Sequence, residues 1–363
     1  MKQLDLKLII NEKKKDKTNF SFILENIHNY IYANDGLGPS ESLDVVINIL
    51  FLKAFDELKS INSFYIKNNE YLEVTNGKRN KDFFLRIENL RIQTFVYFKD
   101  LFDKVQQIKI KDYSLAYVVK MLADVNILKS NDLYGKAFLK YLSSSQRNSR
   151  GQFFTPDEVV NFCINFLKPK KNDKILDPAC GSGSFLISAA KYIRNKNSSN
   201  LNLNNIFGFE ISSTAAKITK LNMILANIKH ENIIISDALK DIKKIKTIGS
   251  DLQEVNLKNY FDLIITKHPF RTTGKISDKT VLKNFKLGSK WNEVSQSYIN
   301  SEKLLPNQVP EVLFIERCLD LLKPNGKIAI ILPNGNLENS SLKYVRYFIN
   351  YNCNVLSVIK LPQ

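Results

Sequence analysis

The residues with the most chemical capacity sit in one stretch, Asp177-Pro178-Ala179-Cys180-Gly181-Ser182-Gly183-Ser184-Phe185. A short apolar run, Lys174–Leu176, precedes it and a helical pattern follows, so the stretch reads as a strand-to-helix turn. Glycines at 181 and 183 let a ligand approach backbone that a side chain would block, beside the exposed N–H groups of a helix N-terminus. A GxG turn alone is a weak signal, because a tight turn needs glycine anyway. Two later acids strengthen it. Glu210 ends a second strand candidate, in Gly208-Phe209-Glu210, and a carboxylate there can accept from both hydroxyls of a ribose. Asp237, in Ser236-Asp237-Ala238, ends a third and can accept from the exocyclic amine of an adenine. Each acid alone is more often a helix cap or a solvated turn residue. Three at successive strand ends describe a site for an adenosine-containing cofactor.

Such a site needs strands to carry it. Strand candidates are Lys174–Leu176, Ile206–Phe209, Ile233–Ile235, Leu263–Ile265, Ile328–Leu332 and Val355–Ile359. Helical spacing falls between them at Phe185–Ile193, Thr214–Ala226 and Val312–Leu322. Alternation of this kind predicts an α/β fold with a parallel, doubly wound sheet, its ligand beyond the carboxyl ends of the strands. Thr155-Pro156-Asp157-Glu158 predicts a helix start, with Thr155 as N-cap, proline at the first helical position and acids in the first turn. Val159, Val160, Phe162, Cys163, Phe166 and Leu167 supply the apolar positions of that helix. The first 150 residues read as helical instead. Ser40, Glu41 and Asp44 open a helix whose apolar positions are Leu43, Val46, Ile47, Leu50, Phe51, Ala54, Phe55 and Leu58. A further helix is predicted over Leu115–Leu128, and Asp35-Gly36-Leu37-Gly38-Pro39 is a turn with no strand before it. The polar run from Ser143 to Gly151 marks a boundary, giving a helical domain over 1–150 and an α/β domain over 151–363.

With 363 residues the chain is long enough for two cores. Its composition, 44% hydrophobic and 25% charged, excludes disordered, collagenous and coiled-coil classes. No apolar run approaches the ~18 residues of a membrane span. The patch Leu8-Ile9-Ile10 lies ahead of Lys13-Lys14-Lys15, the wrong order for a secretory signal. Four cysteines form no CxxC pair, so neither a metal site nor a disulfide framework is expected, and a reducing cytoplasm fits best. The formal charge is +17. Residues 1–150 hold 24 basic and 18 acidic side chains, and the rest hold 29 and 18. A basic surface points to nucleic acid as partner, against the plainer reading of a lysine-rich composition that only favours solubility.

The motifs together are similar to those of the adenine-specific N6 DNA methyltransferases, most closely the modification subunits of type I restriction-modification systems. The carrying residues are Gly151-Gln152-Phe153-Phe154-Thr155-Pro156, Asp177 through Leu186, and Leu332-Pro333-Asn334-Gly335 after the fifth strand. The helical region around Leu50-Phe51-Leu52-Lys53 is similar to the family's N-terminal domain. The resemblance implies a Rossmann-like S-adenosylmethionine-dependent methyltransferase sheet preceded by an all-α N-terminal domain. It implies that Gly151, Gln152, Phe153, Phe154, Thr155, Pro156, Asp177, Gly181, Glu210 and Asp237 contact S-adenosylmethionine, with Gly183 and Ser184 in the same loop. It also implies DNA, a specificity subunit and a restriction subunit as partners.

The family places a catalytic Asn-Pro-Pro-Phe after the fourth strand. Here that place holds Lys267-His268-Pro269-Phe270. The adenine amine is a poor nucleophile, its lone pair delocalised into the ring. The family's Asn carbonyl and the next backbone carbonyl accept its two N–H bonds and turn the lone pair toward the methyl group. A charged lysine is a donor only and adds positive charge beside a cationic cofactor. His268 loses the fixed φ of proline, whereas Phe270 could still stack on a flipped base. Two readings follow: a methyltransferase subunit with a degenerate catalytic loop, or an inactive cofactor- and DNA-binding structural subunit. An RNA or protein methyltransferase is disfavoured by Gly151–Pro156 together with the helical N-terminal region. The insert after the fourth strand mixes Lys279–Lys290 with Phe285 and Trp291, which suits either DNA contact or a solvated loop. The family continues past the sixth strand into a seventh and a C-terminal helical region. The sequence stops at Leu361-Pro362-Gln363, which leads to the expectation of a shortened C-terminal end or a sheet completed by another chain.

Overall fold

The computed structural model describes residues 20–102, 106–128, 155–196, 203–241, 243, 252, 255–268, 274–295 and 297–361. The chain divides into two compact units: Met1–Gln152 with Lys217–His230, and Phe153–Ala216 with Glu231–Gln363.

The described elements of the first unit are helical: α1 (Phe20–Asp35), α2 (Pro39–Lys59), α3 (Asn68–Thr75), α4 (Lys81–Tyr97) and α5 (Asp112–Leu122). The central helix is α2. Leu43, Val46, Ile47, Leu50, Phe51, Ala54 and Phe55 are all buried along it, while Leu58 is exposed. Burying side chains of this size stabilises by roughly 1.5–3 kcal/mol each, so the apolar pattern suffices to fix the helix. Its start differs from the sequence expectation. Gly38, not Ser40, is the N-cap, and Pro39 takes the first helical position. The Glu41 carboxylate accepts the Gly38 N–H at 2.8 Å, which closes the turn one residue pair earlier than a serine cap would. The predicted Leu115–Leu128 helix is α5, which starts three residues sooner and ends at Leu122. The segment Lys217–His230 brings two buried lysines to this unit. Lys217 Nζ donates to Asn48 Oδ1 at 3.3 Å and faces the Phe102 ring, and Lys220 pairs with Asp100.

The second unit is built on a five-stranded parallel sheet. Its elements run α6 (Asp157–Leu167), β1 (Ile175–Asp177), α7 (Ser184–Lys196), β2 (Ile206–Glu210), the first turn of α8 (Ser213–Leu225, of which Lys217 onward belongs to the first unit), β3 (Ile233–Ile235) and β4 (Phe261–Thr266). They continue through α9 (Lys279–Leu282), β5 (Ser289–Val294), β6 (Ser297–Leu304), α10 (Pro310–Leu321), β7 (Leu322–Ile330), α11 (Asn334–Glu338) and α12 (Lys343–Asn352). The sheet order is β3-β2-β1-β4-β7. The order reverses direction beside β1, which makes the carboxyl end of that strand the switch point where ligands settle. Register pairs Asp177 with Gly208, and Ile175 with both Ile206 and Leu263. Every residue of β1 and β2 is buried, as a parallel sheet covered on both faces requires. This is the Rossmann-like α/β sheet that the alternation of elements predicts, preceded by helices.

Three expectations change here. Helix α6 begins at Asp157 with Pro156 as N-cap, so Thr155 lies outside it. The Val159 and Val160 N–H groups donate to the Pro156 carbonyl, which therefore closes the first turn. The predicted sixth strand, Val355–Ile359, forms no strand and pairs with none among the described residues, with Val355, Leu356 and Val358 exposed. β-branched composition makes no strand without a neighbour to bond. The insert after β4 is no plain loop: β5 and β6 form an antiparallel hairpin that pairs Trp291 with Asn300.

Candidate functional site

Asp177 is the last residue of β1 and is almost fully buried. Its Oδ1 accepts the Ala179 N–H at 3.0 Å, folding the chain sharply out of the strand. Burial pushes its carboxyl up to about 7, against the hydrogen bonding and the positive charge of Lys267, which both pull it down. The chain then turns tightly. Gly183 N–H donates to the Cys180 carbonyl at 2.7 Å, and Cys180 N–H donates to Phe209 on the neighbouring strand at 3.0 Å. Gly181 and Gly183 have φ of +55° and +83°, the left-handed region where glycine is unstrained. A Cβ placed on Gly181 would meet no heavy atom within 4 Å, so this side of the loop is open.

Glu210, at the end of β2, reaches this loop. Its Oε2 accepts the Gly181 N–H at 3.0 Å and its Oε1 accepts the Ser212 N–H at 2.9 Å. Burial raises its pKa, and those backbone donors oppose the rise. Asp237, just past β3, is half-buried and accepts the Leu239 N–H through Oδ1 at 2.9 Å. Ser182 and Ser184 share a hydroxyl contact of 3.1 Å at the start of α7. Asp177, Gly181, Gly183, Ser184, Glu210 and Asp237 are thus gathered at the carboxyl ends of three adjacent strands. Open glycine backbone, helix N–H groups and carboxylates are the donor and acceptor set that a ribose and an adenine need.

The fourth strand ends beside them. Lys267 follows β4 directly and is half-buried; burial lowers its pKa while Asp177 raises it. The His268 side chain is inaccessible, edge-on to Phe314 of α10 at 5.1 Å between ring centroids. Burial pushes its pKa down to about 4, so it is neutral at pH 7. A half-buried lysine at this strand end, next to a neutral imidazole, places a donor where the sequence pattern calls for an acceptor. Thr155 and Pro156 precede α6, and Gly151, Gln152, Phe153, Phe154, Pro269 and Phe270 lie outside the described residues. Sequence reasoning missed Ser212, whose N–H holds Glu210 from the next turn. It also missed Phe314, whose contact with His268 joins positions 46 residues apart. No spacing signal marks either.

Sheet order, glycine turn and acidic strand ends define the class: a Rossmann-like methyltransferase fold. The family is equally plain. The chain belongs to the N-6 DNA methylase family, whose profile matches residues 129–363. It is 24% identical over 263 residues to the EcoEI type I restriction enzyme methylase subunit of Escherichia coli, covering 68% of this chain and 46% of that one. It is 29% identical over 241 residues to the MpnII methylase subunit of Mycoplasma pneumoniae, covering 64% and 41%. The chain therefore spans less than half the length of these relatives. Among solved structures, the type I restriction-modification methyltransferase subunit of Streptococcus thermophilus is similar in fold, with TM-score 0.63 and 17% identity over 90% of this chain and 77% of that one. A modification subunit ascribed to a type I restriction enzyme of Vibrio vulnificus YJ016 gives TM-score 0.63 and 19% identity over 91% and 75%.

Proposed function

We propose that this chain is an adenine N6 DNA methyltransferase subunit of a type I restriction-modification system, binding S-adenosylmethionine at the ends of β1–β3, with methyl transfer impaired by its own β4 loop. One observation carries the reading: the open glycine turn after β1, whose Gly181 N–H donates to Glu210 at 3.0 Å, lies at the strand ends that also bring Asp177 and Asp237. When bound, S-adenosylmethionine supplies an electrophilic methyl group on a sulfonium. Glu210 and Asp237 would hold its ribose and adenine, and the open face of Gly181 would admit it without a side-chain clash. Thr155, Pro156 and the preceding Gly151-Gln152-Phe153-Phe154 would complete the cofactor site, as in the family. Pro269 and Phe270 would remain to receive a flipped adenine.

Lys267 cannot accept a proton from the adenine amine while charged, so it cannot turn the lone pair toward the methyl group. His268 is buried and neutral against Phe314, which makes it a packing group rather than a replacement base. DNA would be held by the basic surface, and sequence choice would fall to a specificity subunit, with a restriction subunit as further partner. The inactive structural subunit is the second reading, favoured by the same Lys267.

Calorimetric titration of the purified chain with S-adenosylhomocysteine tests the cofactor site. One-to-one binding is expected, weakened tenfold or more in Glu210→Ala through loss of hydrogen bonds to a charged acceptor. A folded chain that binds no adenosine cofactor would remove the reading.

A further inference from the structure

Helix α8 starts at the turn that holds Glu210 and continues into the first unit. Its N-terminal end is pegged to that acid. Ser212 N–H donates to Glu210 Oε1 at 2.9 Å, while the Ser212 hydroxyl accepts Ala215 N–H at 3.3 Å and its carbonyl accepts Ala216 N–H at 2.9 Å. Ser212 therefore caps α8 and holds the carboxylate at once. Every residue from Ala215 to Ala226 is buried. Apolar side chains fall on all sides of this run, at Ala215, Ala216, Ile218, Leu221 and Ile224, so apolar packing alone specifies the rotation of the helix poorly. Two lysines on one side supply what that packing lacks. Lys217 Nζ donates to Asn48 Oδ1 at 3.3 Å, stands 3.9 Å from Asp44 Oδ1 and faces the Phe102 ring at 4.5 Å. Lys220, one turn on, is ion-paired with Asp100. Burying an ammonium is expensive, so such pairs are weak stabilisers, and their best-attested use is to fix register.

We propose that Lys217 and Lys220, through Asp44, Asn48 and Asp100, fix the rotation of α8 and so position Glu210 for the cofactor. They are positioning residues, which act through Ser212 and touch no ligand. The inference rests on the cofactor reading and deepens it, because it makes cofactor affinity depend on side chains of the helical unit.

The test sets folding stability in urea against calorimetric affinity for S-adenosylhomocysteine, in the full chain carrying Lys217→Met and Lys220→Met. Asp44 and Asp100 are partly exposed, so water can solvate them once the ammonium groups are gone. Stability is expected to stay near the wild-type value, as it often does when buried pairs are replaced by apolar side chains. Affinity is expected to fall by roughly three- to thirtyfold, the range typical of coupling through a packed element. Amide exchange at Gly181 and Ser212 should quicken in parallel. A merely structural role would change stability and leave both the affinity of the folded chain and these exchange rates at wild-type values. Should the methionine variant fail to fold, Asp44→Asn with Asp100→Asn, at the exposed ends of the same pairs, is read in the same way. A loss of affinity below about threefold in a folded variant overturns the positioning role and leaves the cofactor site standing. A folded wild-type chain that binds no S-adenosylhomocysteine overturns it together with the cofactor reading.

Discussion

The Gly181 amide donates to Glu210 Oε2 at 3.0 Å, so the glycine loop after β1 is tied to the end of β2 before any ligand arrives. The same carboxylate holds Ser212 at 2.9 Å and therefore fixes two turns at once. Glu210→Ala should leave both N–H groups without that acceptor and lower stability by about 1–3 kcal/mol. Glu210→Gln, which keeps one acceptor oxygen, should lose less. Urea denaturation gives the stabilities, and amide exchange should show Gly181 and Ser212 exposed in the alanine variant. Unchanged exchange at both would show that the contact does not hold the loop.

Gly208 gives a packing prediction beneath the same loop. A Cβ there would sit 2.8 Å from Ile233 Cδ1, 2.9 Å from Cys180 Sγ and 2.9 Å from Leu186 Cδ1. Gly208→Ala should cost roughly 1–3 kcal/mol through overpacking, and Gly208→Val more. A thermal midpoint equal to wild type in the alanine variant would mean that the core yields freely at this point.

Two buried groups give opposite pH dependences. Asp177, raised from 3.8 to about 7, keeps its proton in the native state where the unfolded chain has lost it. Its contribution to stability is therefore lost as pH climbs through that window. His268, lowered from 6.5 to about 4, stays neutral in the native state where the unfolded chain takes up a proton. Its contribution is lost as pH falls from 6.5 toward 4. Relative to wild type, Asp177→Asn should gain stability as pH rises from 4 to 7, by at most about 1.4 kcal/mol per pH unit. His268→Phe should gain it as pH falls over 6.5 to 4. Parallel profiles for wild type and either variant would contradict the assignment.

The charge excess predicts how DNA is held. With 53 basic against 36 acidic residues, the isolated chain should bind duplex DNA without sequence preference, and affinity should fall steeply with salt. Fluorescence anisotropy at several salt concentrations measures the slope. A sequence-specific footprint from the chain alone would contradict it.

The sheet was legible because its strands are short apolar runs closed by acids and glycines. Ile233–Ile235 is the strand that the pattern marks, and Asp177, Glu210 and Asp237 fall together as successive strand ends must. Helix ends were less legible. Gly38 and Pro156 serve as caps through backbone geometry, whereas composition favours the side chains of Ser40 and Thr155. Val355–Ile359 has strand composition but no pairing partner among the described residues, a tertiary fact that no local pattern carries. The burial of His268 against Phe314 is of the same kind, since the contact joins two elements far apart in sequence.

The central claim is that the β4 loop, and no other part of the site, limits methyl transfer. Labelled-methyl incorporation into adenine-containing duplex DNA tests it most directly, using the chain with a type I specificity subunit supplied. The rate is measured for wild type and for the double variant Lys267→Asn, His268→Pro. Loss of a positioned hydrogen-bonding group at a reacting centre costs on the order of 10²–10³ in rate, so the double variant should be faster by at least that factor. Robust methylation by wild type, or no gain in a double variant that still folds and binds cofactor, would contradict the account.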